Sequence, residues 1–395
     1  VERMKYYFET LIDRRGTNSL KWDVKENELP MWVADMDFQT APEIIEVLKE
    51  KVCHGIFGYT IIPNPWHEAI IGWWKTRHGF KIKKEWLRFC TGVIPAIDCA
   101  IRALTNPEDK ILMLTPIYNH FFISIEENKR IPVESRLEYD GSKYWINYED
   151  LEEKLADQRT PLMILSNPHN PTGNIWDKET LEKIGELCRK HQVTVISDEI
   201  HCDLTDPGYD YTPFASVSEA CAKNSITCIA PTKAFNIAGL QTAAVVIPNE
   251  GLREKVKAAL EVGNSAEPGA FAIDAAVAAF TKGGPWLEEL RGHILQNKQL
   301  VSQFIADHIP EVGVISSHAT YLMWLDFSRI TKNSTELCAW IRRETGLYMN
   351  VGEIYGGNGK KFARLNVACQ KERLEDGLER LAKGIASYTK GAERI

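Results

Sequence analysis

Four polar side chains that could serve one reaction follow or interrupt apolar stretches of this sequence, in the order Asn170, Asp198, Lys233 and Arg364. A buried lysine amine can be neutral at working pH and can then join an aldehyde as an imine. A carboxylate that ends an apolar strand needs a cation, and a guanidinium can grip a carboxylate by two parallel hydrogen bonds. Together they supply the charges and donors that a pyridoxal phosphate (PLP) site for amino acids needs.

Each of these residues also has an ordinary structural interpretation. Asp198, in Ser-Asp-Glu-Ile-His, could hold a protonated pyridine nitrogen, or it could be a helix N-cap or loop residue. Asn170, in Asn-Pro-His-Asn-Pro-Thr-Gly, could donate to the phenolic oxygen of the cofactor, and its neighbours also form turns. An isolated Lys233 or Arg364 would be a surface charge or a surface ion pair. We expect His201 to brace Asp198, although a single histidine is more often a packed or surface residue.

A phosphate site is predicted where Gly92, Val93 and Ile94 follow the apolar run Leu87-Arg-Phe-Cys90 and open a helical pattern. Free amides at a helix N-terminus bind phosphate, although many strand–turn–helix segments would look the same. Thr232, directly before the lysine, could add a hydroxyl to that phosphate. Tyr118 follows another apolar run and could stack on the pyridine ring, or it could be a core or rim residue.

Short apolar runs alternate with amphipathic stretches through the middle of the chain, and they predict an α/β fold with a mainly parallel sheet covered by helices. The predicted strands are 87–90, 111–114, 162–165, 193–196, 226–229 and 243–247, and Asp177 is a predicted helix N-cap. Ligands collect beyond the carboxyl ends of such strands, where Asn170, Asp198 and Lys233 lie. We predict a large domain over 46–284 and a smaller α+β domain from 1–45 and 285–395, divided near Gly283-Gly-Pro285. The first forty or so residues are expected to wrap over the protein rather than form a core.

The composition is that of a soluble globular protein. The 395 residues are 44% hydrophobic and 26% charged, and 47 basic and 54 acidic residues give a net charge of −7. That balance argues against a nucleic-acid partner, and no apolar run reaches the length of a membrane helix. Val1–Lys5 has no apolar signal core, so a cytoplasmic location is expected. The nine cysteines lack metal-ligand spacing, and we expect reduced thiols and no metal site.

These motifs resemble the fold-type I PLP enzymes of the aspartate aminotransferase superfamily, and more narrowly the MalY/PatB cystathionine β-lyase subfamily, which includes cystalysin. The narrower resemblance rests on Leu29-Pro-Met-Trp-Val-Ala-Asp-Met-Asp-Phe38, Gly58-Tyr-Thr60, Ser197-Asp-Glu-Ile-His-Cys-Asp203 and Lys233-Ala-Phe-Asn-Ile-Ala-Gly239. It implies a large domain with a seven-stranded, mainly parallel sheet, and a homodimer with shared active sites.

The resemblance also implies roles at matching positions. Lys233 would anchor PLP and later move the Cα proton, and Asp198, Asn170 and Tyr118 would contact its ring. Gly92, Val93, Ile94 and Thr232 would hold the phosphate, with His201 nearby. Tyr59 would reach the partner subunit's site, and Arg364 would bind the substrate carboxylate, with further substrate contacts from Val33, Ala34 and Asn119. Two departures stand out, because Gln241 replaces an arginine that many relatives use for the phosphate, and Ala230 replaces a common serine. Asn119 also stands where cystalysin-like relatives have a second aromatic residue.

The expected function is therefore PLP-dependent carbon–sulfur β-lyase activity on L-cystathionine, L-cysteine or cysteine S-conjugates, with a thiol, pyruvate and ammonia as products. An aminotransferase with the same site is the alternative, and a regulatory binding protein is a third possibility.

Overall fold

The computed structural model describes residues 6–392, so Val1–Lys5, with the expected absence of a signal core, lie outside the described residues. The helices are α1 Pro42–His54, α2 Asn64–Arg77, α3 Val93–Leu104, α4 His120–Glu127, α5 Tyr148–Leu155, α6 Lys178–Lys190, α7 Glu219–Lys223, α8 Glu250–Val262, α9 Ala272–Lys282, α10 Gly284–His308, α11 Ser334–Thr345 and α12 Lys371–Ala392. The strands are β1 Leu29–Pro30, β2 Leu87–Cys90, β3 Lys110–Thr115, β4 Ile131–Arg136, β5 Glu138–Tyr139, β6 Tyr144–Trp145, β7 Leu162–Ser166, β8 Thr194–Asp198, β9 Ser225–Ile229, β10 Ala243–Val246, β11 Gly313–Val314, β12 Leu322–Asp326, β13 Leu347–Tyr348, β14 Asn350–Val351 and β15 Phe362–Asn366. Within residues 6–392, no helix is both long and apolar enough to cross a membrane.

Seven strands form the main sheet, in the order β2-β10-β9-β8-β7-β3-β4, and β10 runs antiparallel to both of its neighbours. The neighbouring pairs among β9, β8, β7, β3 and β4 are parallel. Because β2 and β9 are both antiparallel to β10, β2 runs in the same direction as β9. The predicted mainly parallel seven-stranded sheet is confirmed, and the carboxyl ends of six strands meet at one edge.

Helices cover both faces of this sheet because its central strands are mostly apolar. Ala96 and Ile97 of α3 pack with Val256 and Leu260 of α8 on one face. Leu151 of α5 packs on the other face, with Leu181 and Ile184 of α6. The predicted N-cap of α6 is confirmed, since the Asp177 carboxylate accepts from the Thr180 amide at 2.7 Å. All nine cysteines are free thiols in the structure.

A second, antiparallel sheet follows the long helix α10, in the order β11-β12-β15-β14, and α11 and α12 belong to the same part of the chain. The N-terminal segment joins this part through the parallel pairing of β1 with β13. The boundary predicted between residues 45 and 46 falls inside α1, which begins at Pro42. We propose that the domains divide before Pro42 and at the start of α10.

The N-terminal segment is irregular, as expected, but the expectation that it stays out of the core is wrong. Tyr6, Phe8, Trp22, Met36 and Phe38 are buried in a hydrophobic cluster that also contains residues of α2, α9 and α10. Polar residues around these aromatics obscured the pattern in the sequence, because the buried positions follow no helical or strand period.

Candidate active site

Three of the predicted site residues lie at the carboxyl edge of the main sheet, because neighbouring parallel strands deliver them there. Asp198 is the last residue of β8, Asn170 lies in the loop after β7, and Lys233 lies in the loop after β9. The β7–β8 register pairs Ser166 with Asp198, so the ends of these two strands are level. The fold therefore brings together residues that are up to 63 positions apart in the sequence.

Lys233 is largely buried, with part of the residue exposed. Its Nζ donates to the carbonyl oxygen of Ala34 at 2.7 Å. Burial, followed by the positive charge of Arg364, lowers the pKa of Lys233 to about 8, and the carboxylates of Asp35 and Asp198 oppose this shift. A substantial fraction of this amine is consequently neutral near pH 7 to 8, as a nucleophile or a proton acceptor requires.

Asp198 is a buried carboxyl group without a strong cationic contact of its own. Its Oδ1 accepts from the Ile200 amide at 3.1 Å. Burial raises the pKa of Asp198 to about 7, and that backbone bond and the charge of Lys233 only partly offset the increase. A cationic ring nitrogen beside this carboxylate would relieve the cost of its burial.

Arg364 extends from β15 of the second sheet to the large-domain loop that carries Asn170. Its Nη1 donates to Asn170 Oδ1 at 3.1 Å, and its Nη2 donates to the Trp32 carbonyl oxygen at 3.1 Å. The side chain is buried, and its Nε has no hydrogen-bond partner. The backbone N–H of Asn170 donates to Ser166 Oγ at 3.1 Å and holds Asn170 in place. The guanidinium therefore keeps donors for an incoming anion such as a carboxylate.

The predicted phosphate site is the N-terminus of α3, at the same edge of the sheet. The helix begins at Val93 after Gly92, and its first turn has no acidic residue. The first helical backbone bond into this turn runs from Ala96 to the Gly92 carbonyl, so the amides of Val93 and Ile94 have no partner within the helix. Thr232 is buried directly before Lys233. Backbone amides and a hydroxyl could thus hold a phosphate here.

Tyr118 lies between β3 and α4 with its ring edge-on to Phe121, at a centroid distance of 5.6 Å. Burial raises the pKa of Tyr118 to about 12, while the charge of Arg364 lowers it and that of Asp198 raises it. Tyr118 therefore lies within electrostatic reach of both charged site residues. Asn119 follows as the N-cap residue of α4, and its side chain makes no capping bond.

His201 is buried near the same charges, but it does not make the contact that we expected. Within residues 6–392 no hydrogen bond joins His201 to Asp198, and the buried His201 Nδ1 has no partner. Burial, with the charges of Lys233 and Arg364, lowers the pKa of His201 to about 3, so the ring is neutral. The Ile200 amide, closer in the chain, donates to Asp198 Oδ1 instead. A bracing role for His201 toward Asp198 stays a prediction.

The remaining predicted residues divide into two groups. The carbonyl oxygens of Val33 and Ala34 face the site, since Val33 O accepts from Asn366 Nδ2 at 2.6 Å and Ala34 O accepts from Lys233. Tyr59 is not brought to this cluster, because it is fully exposed (104%) on the irregular segment between α1 and α2.

Sequence reasoning missed several polar residues that hold the site together. Asn236, Tyr321, Asn350 and Asn366 all donate to carbonyl oxygens of residues 32–38. Asn366 could have been found, since it lies two residues after Arg364 and side chains two apart on a strand share a face. The others carry no such local signal.

His78, Cys202 and Asp203 have ligand atoms within 4.8 Å of one another, a grouping that their sequence spacing does not indicate. The Asp203 carboxylate already pairs with Arg77 Nε at 2.9 Å, and burial raises the pKa of the Cys202 thiol well above its usual range. A protonated thiol and a paired carboxylate are poor metal ligands. The group anchors the segment after His201 to α2.

The family model for aminotransferase class I and II matches residues 28–381. The chain belongs to this family. It is 43% identical to cystathionine beta-lyase PatB of Bacillus subtilis (strain 168), with 96% of this chain and 100% of that protein covered. It is 31% identical to protein MalY of Escherichia coli (strain K12), with 96% and 98% covered. Cystalysin from Treponema denticola, whose crystal structure contains PLP, is 32% identical with a TM-score of 0.94, and the match covers 97% of this chain and all of cystalysin.

The described site residues suit a ligand that carries a cationic nitrogen, an aldehyde and a phosphate, which agrees with the fold of the family. A raised Asp198 pKa suits a cationic nitrogen, the lowered Lys233 pKa suits an aldehyde, and the open N-terminus of α3 suits a phosphate. PLP carries all three groups, so the described residues fit PLP.

Proposed function

We propose that this protein is a PLP-dependent carbon–sulfur β-lyase that acts on L-cystathionine, L-cysteine or cysteine S-conjugates. The observation that carries the proposal is the convergence of Lys233, Asp198 and Arg364 in one site, in a chain that is 43% identical over 96% of its length to a cystathionine beta-lyase. The products would be a thiol, pyruvate and ammonia, with one water consumed.

Bound PLP would supply an electron sink that makes the substrate Cα proton acidic and allows the Cβ–S bond to break. Lys233 would anchor the cofactor and, once released by the substrate amine, accept the Cα proton, since its pKa of about 8 leaves neutral amine available. Asp198 would stay ionised beside the ring nitrogen, and Asn170 would donate its amide to the ring oxygen. Tyr118 would stack on the ring, and His201 would line its surroundings as a neutral imidazole.

Arg364 would hold the substrate α-carboxylate with its free donors, and the backbone at Val33 and Ala34 would close that end of the cleft. Asn119 would face the thiol side of the substrate. Amides of Val93 and Ile94 after Gly92, together with Thr232, would hold the phosphate. This arrangement dispenses with the arginine that Gln241 replaces, because helix N-termini bind phosphate without a cationic side chain.

The proposal includes a homodimer with shared active sites. The irregular segment between α1 and α2 exposes Ile56 (69%), Tyr59 (104%) and Ile61 (78%), which is an unusual concentration of apolar surface. A second copy covering this segment would bury it and bring Tyr59 to the partner's cleft. The net charge of −7 also fits a cytoplasmic enzyme that uses small amino-acid substrates rather than nucleic acid.

The test is to supply purified, B6-loaded protein with L-cystathionine and to measure pyruvate and free thiol. Equal amounts of both products are expected, and Lys233→Ala should abolish both, together with the absorbance band of the lysine-bound cofactor. Conversion of the cofactor to its amine form without thiol release would overturn the lyase proposal.

The second candidate is an aminotransferase, because the matching family model describes aminotransferases. Both reactions need the same proton transfer by Lys233 and the same carboxylate contact by Arg364. They differ in where the electrons go after deprotonation, and a 2-oxo acid acceptor added to the assay distinguishes them.

A further inference from the structure

Residues 32–38, here called the strap, lie between Arg364 and Lys233 and are held by side chains through their backbone carbonyl groups. Trp32 O accepts from Arg364, and Val33 O and Asp35 O both accept from Asn366 Nδ2 at 2.6 Å. Ala34 O accepts from Lys233 at 2.7 Å and from Tyr321 OH at 3.0 Å. The strap therefore forms the wall of the cleft between the carboxylate end and the lysine.

Asn236 is the residue that ties the strap to the loop of Lys233. Its Oδ1 accepts from the Met36 amide at 3.0 Å, and its Nδ2 donates to Met36 O at 3.0 Å and to Phe38 O at 2.8 Å. Three bonds from one side chain fix the strap backbone in position and in orientation. Asn236 also has φ 54°, a left-handed conformation that asparagine adopts more readily than most residues.

The other bonds to strap carbonyls come from different parts of the chain. Arg364 and Asn366 lie on β15, and Tyr321 lies next to β12, so these side chains hold the strap to the second sheet. Lys21 and Arg14, which reach Asp35 O and Met36 O, belong to the N-terminal segment itself. Among the described residues, the hydrogen bonds between the strap and the Lys233 loop are those of Asn236 and of Lys233 Nζ.

The contact of Lys233 with Ala34 O cannot persist unchanged when the amine is joined covalently to a cofactor aldehyde, because the nitrogen then loses donor hydrogens. Asn236 would then be the remaining side-chain hydrogen bond between the strap and this loop. A substrate amino acid must reach Arg364 with its carboxylate and the Lys233 region with its Cα. The distance between the strap and the Lys233 loop therefore determines whether the substrate can contact Arg364 and the Lys233 region at the same time.

We propose that Asn236 is a positioning residue that sets the carboxylate end of the cleft relative to Lys233 and so determines affinity for L-amino acids, without contacting substrate or cofactor. This inference rests on the proposed use of the cleft for amino acids. It does not depend on cleavage of a carbon–sulfur bond.

The test uses Asn236→Gly, because glycine accepts the left-handed backbone and removes all three bonds. Gln192→Gly is the matched control, since Gln192 also has a positive φ (59°) but lies exposed before β8, at the opposite edge of the sheet. B6-loaded proteins are titrated with L-alanine by absorbance, the bound cofactor is quantified, and hydrogen exchange of the Met36 amide is followed.

The expected result for Asn236→Gly is an L-alanine dissociation constant at least tenfold higher, unchanged cofactor content and at least tenfold faster exchange at Met36, with Gln192→Gly equal to the wild type. L-alanine affinity within twofold of wild type, or affinity lost in proportion to cofactor, would overturn the proposal. If Asn236→Gly does not fold, the same measurements on Asn236→Asp test the proposal. It tolerates the same φ and keeps an acceptor for Met36, but it cannot donate to Met36 O or Phe38 O. Because L-alanine has no sulfur, a failure of lyase activity leaves this result interpretable.

Discussion

Replacing Arg364 with lysine tests the assignment of the substrate carboxylate site. The guanidinium has five N–H donors, and two of them are occupied by Asn170 Oδ1 and the Trp32 carbonyl oxygen. Three donors remain, and the buried Nε is one of them. A carboxylate can therefore be held by two parallel bonds. A lysine ammonium has three donors, so the same two internal bonds would leave one for substrate.

The loss in Arg364→Lys is then one charge-assisted hydrogen bond, worth about 1.5–3 kcal/mol. At about 1.36 kcal/mol for each tenfold change, kcat/KM for L-cystathionine should fall roughly 10- to 150-fold. Pyruvate formation under subsaturating substrate gives this ratio directly. Titration with L-alanine and with ethylamine, which lacks the carboxylate, separates the two ends of the site, and only L-alanine affinity should fall.

Arg253→Lys is the matched control for this substitution. Arg253 is also buried, donates from Nη1 to the carbonyl oxygens of Ile247 and Pro248, and has an unpaired Nε. Since it lies outside the cleft, kcat/KM should remain within twofold of wild type. A loss of less than threefold in kcat/KM in Arg364→Lys would refute the assignment of Arg364 to the substrate carboxylate. So would a fall in ethylamine affinity as large as the fall in L-alanine affinity.

Three further predictions concern pH dependence, assembly and packing. Burial raises the pKa of Glu199 to about 8, so the folded protein retains a proton that the unfolded chain releases above its ordinary pKa. The free energy of unfolding should therefore fall between pH 7 and 8 by up to about 1.4 kcal/mol per pH unit. In urea titrations of cofactor-free protein, Glu199→Gln should remove this pH dependence. An unchanged pH dependence in the variant would show that another group causes it. Inactive Tyr59→Ala and Lys233→Ala subunits should regain activity when they are mixed and refolded together. Random pairing with one intact site per mixed dimer gives up to about a quarter of wild-type activity. A mixture without activity would argue against shared sites. A Cβ added to Gly173 would lie 1.9 Å from Ser317 Oγ at a positive φ (71°), so Gly173→Ala should lower the free energy of unfolding by at least about 2 kcal/mol. Gly208→Ala, with positive φ but open space around it, should lower it less.

Much of the fold could be predicted from the sequence because its strands are continuous apolar runs. The predicted strands at 87–90 and 226–229 match β2 and β9 to within one residue, and the others match to within two residues at either end. β4 was not predicted, because Ile131–Arg136 mixes polar and apolar residues at the edge of the sheet, where one strand neighbour is missing. The N-terminal segment was misjudged for a related reason, since its buried aromatics lie on irregular backbone.

The residues of the site could be predicted from the sequence, because residues that follow parallel strands must meet at one edge of the sheet. Asn170, Asp198 and Lys233 were predicted to meet there, and Arg364 was predicted from the chemistry of its guanidinium and from the motif resemblance. The tertiary structure decided the properties of these groups. The pKa of Lys233 falls because burial and Arg364 act on it across 131 positions of sequence.

The sequence by itself thus determined which residue types reach the cleft, since the apolar character of each strand and the residues that follow it are local properties. Only the tertiary structure decided how the cleft is closed. The strap reaches Lys233, Asn236 and Arg364 through backbone carbonyl groups, and every residue has a carbonyl whatever its side chain. Hydrogen bonds of that kind leave no pattern in the amino-acid sequence, so their partners are known only when the folded chain brings residues 32–38 beside them.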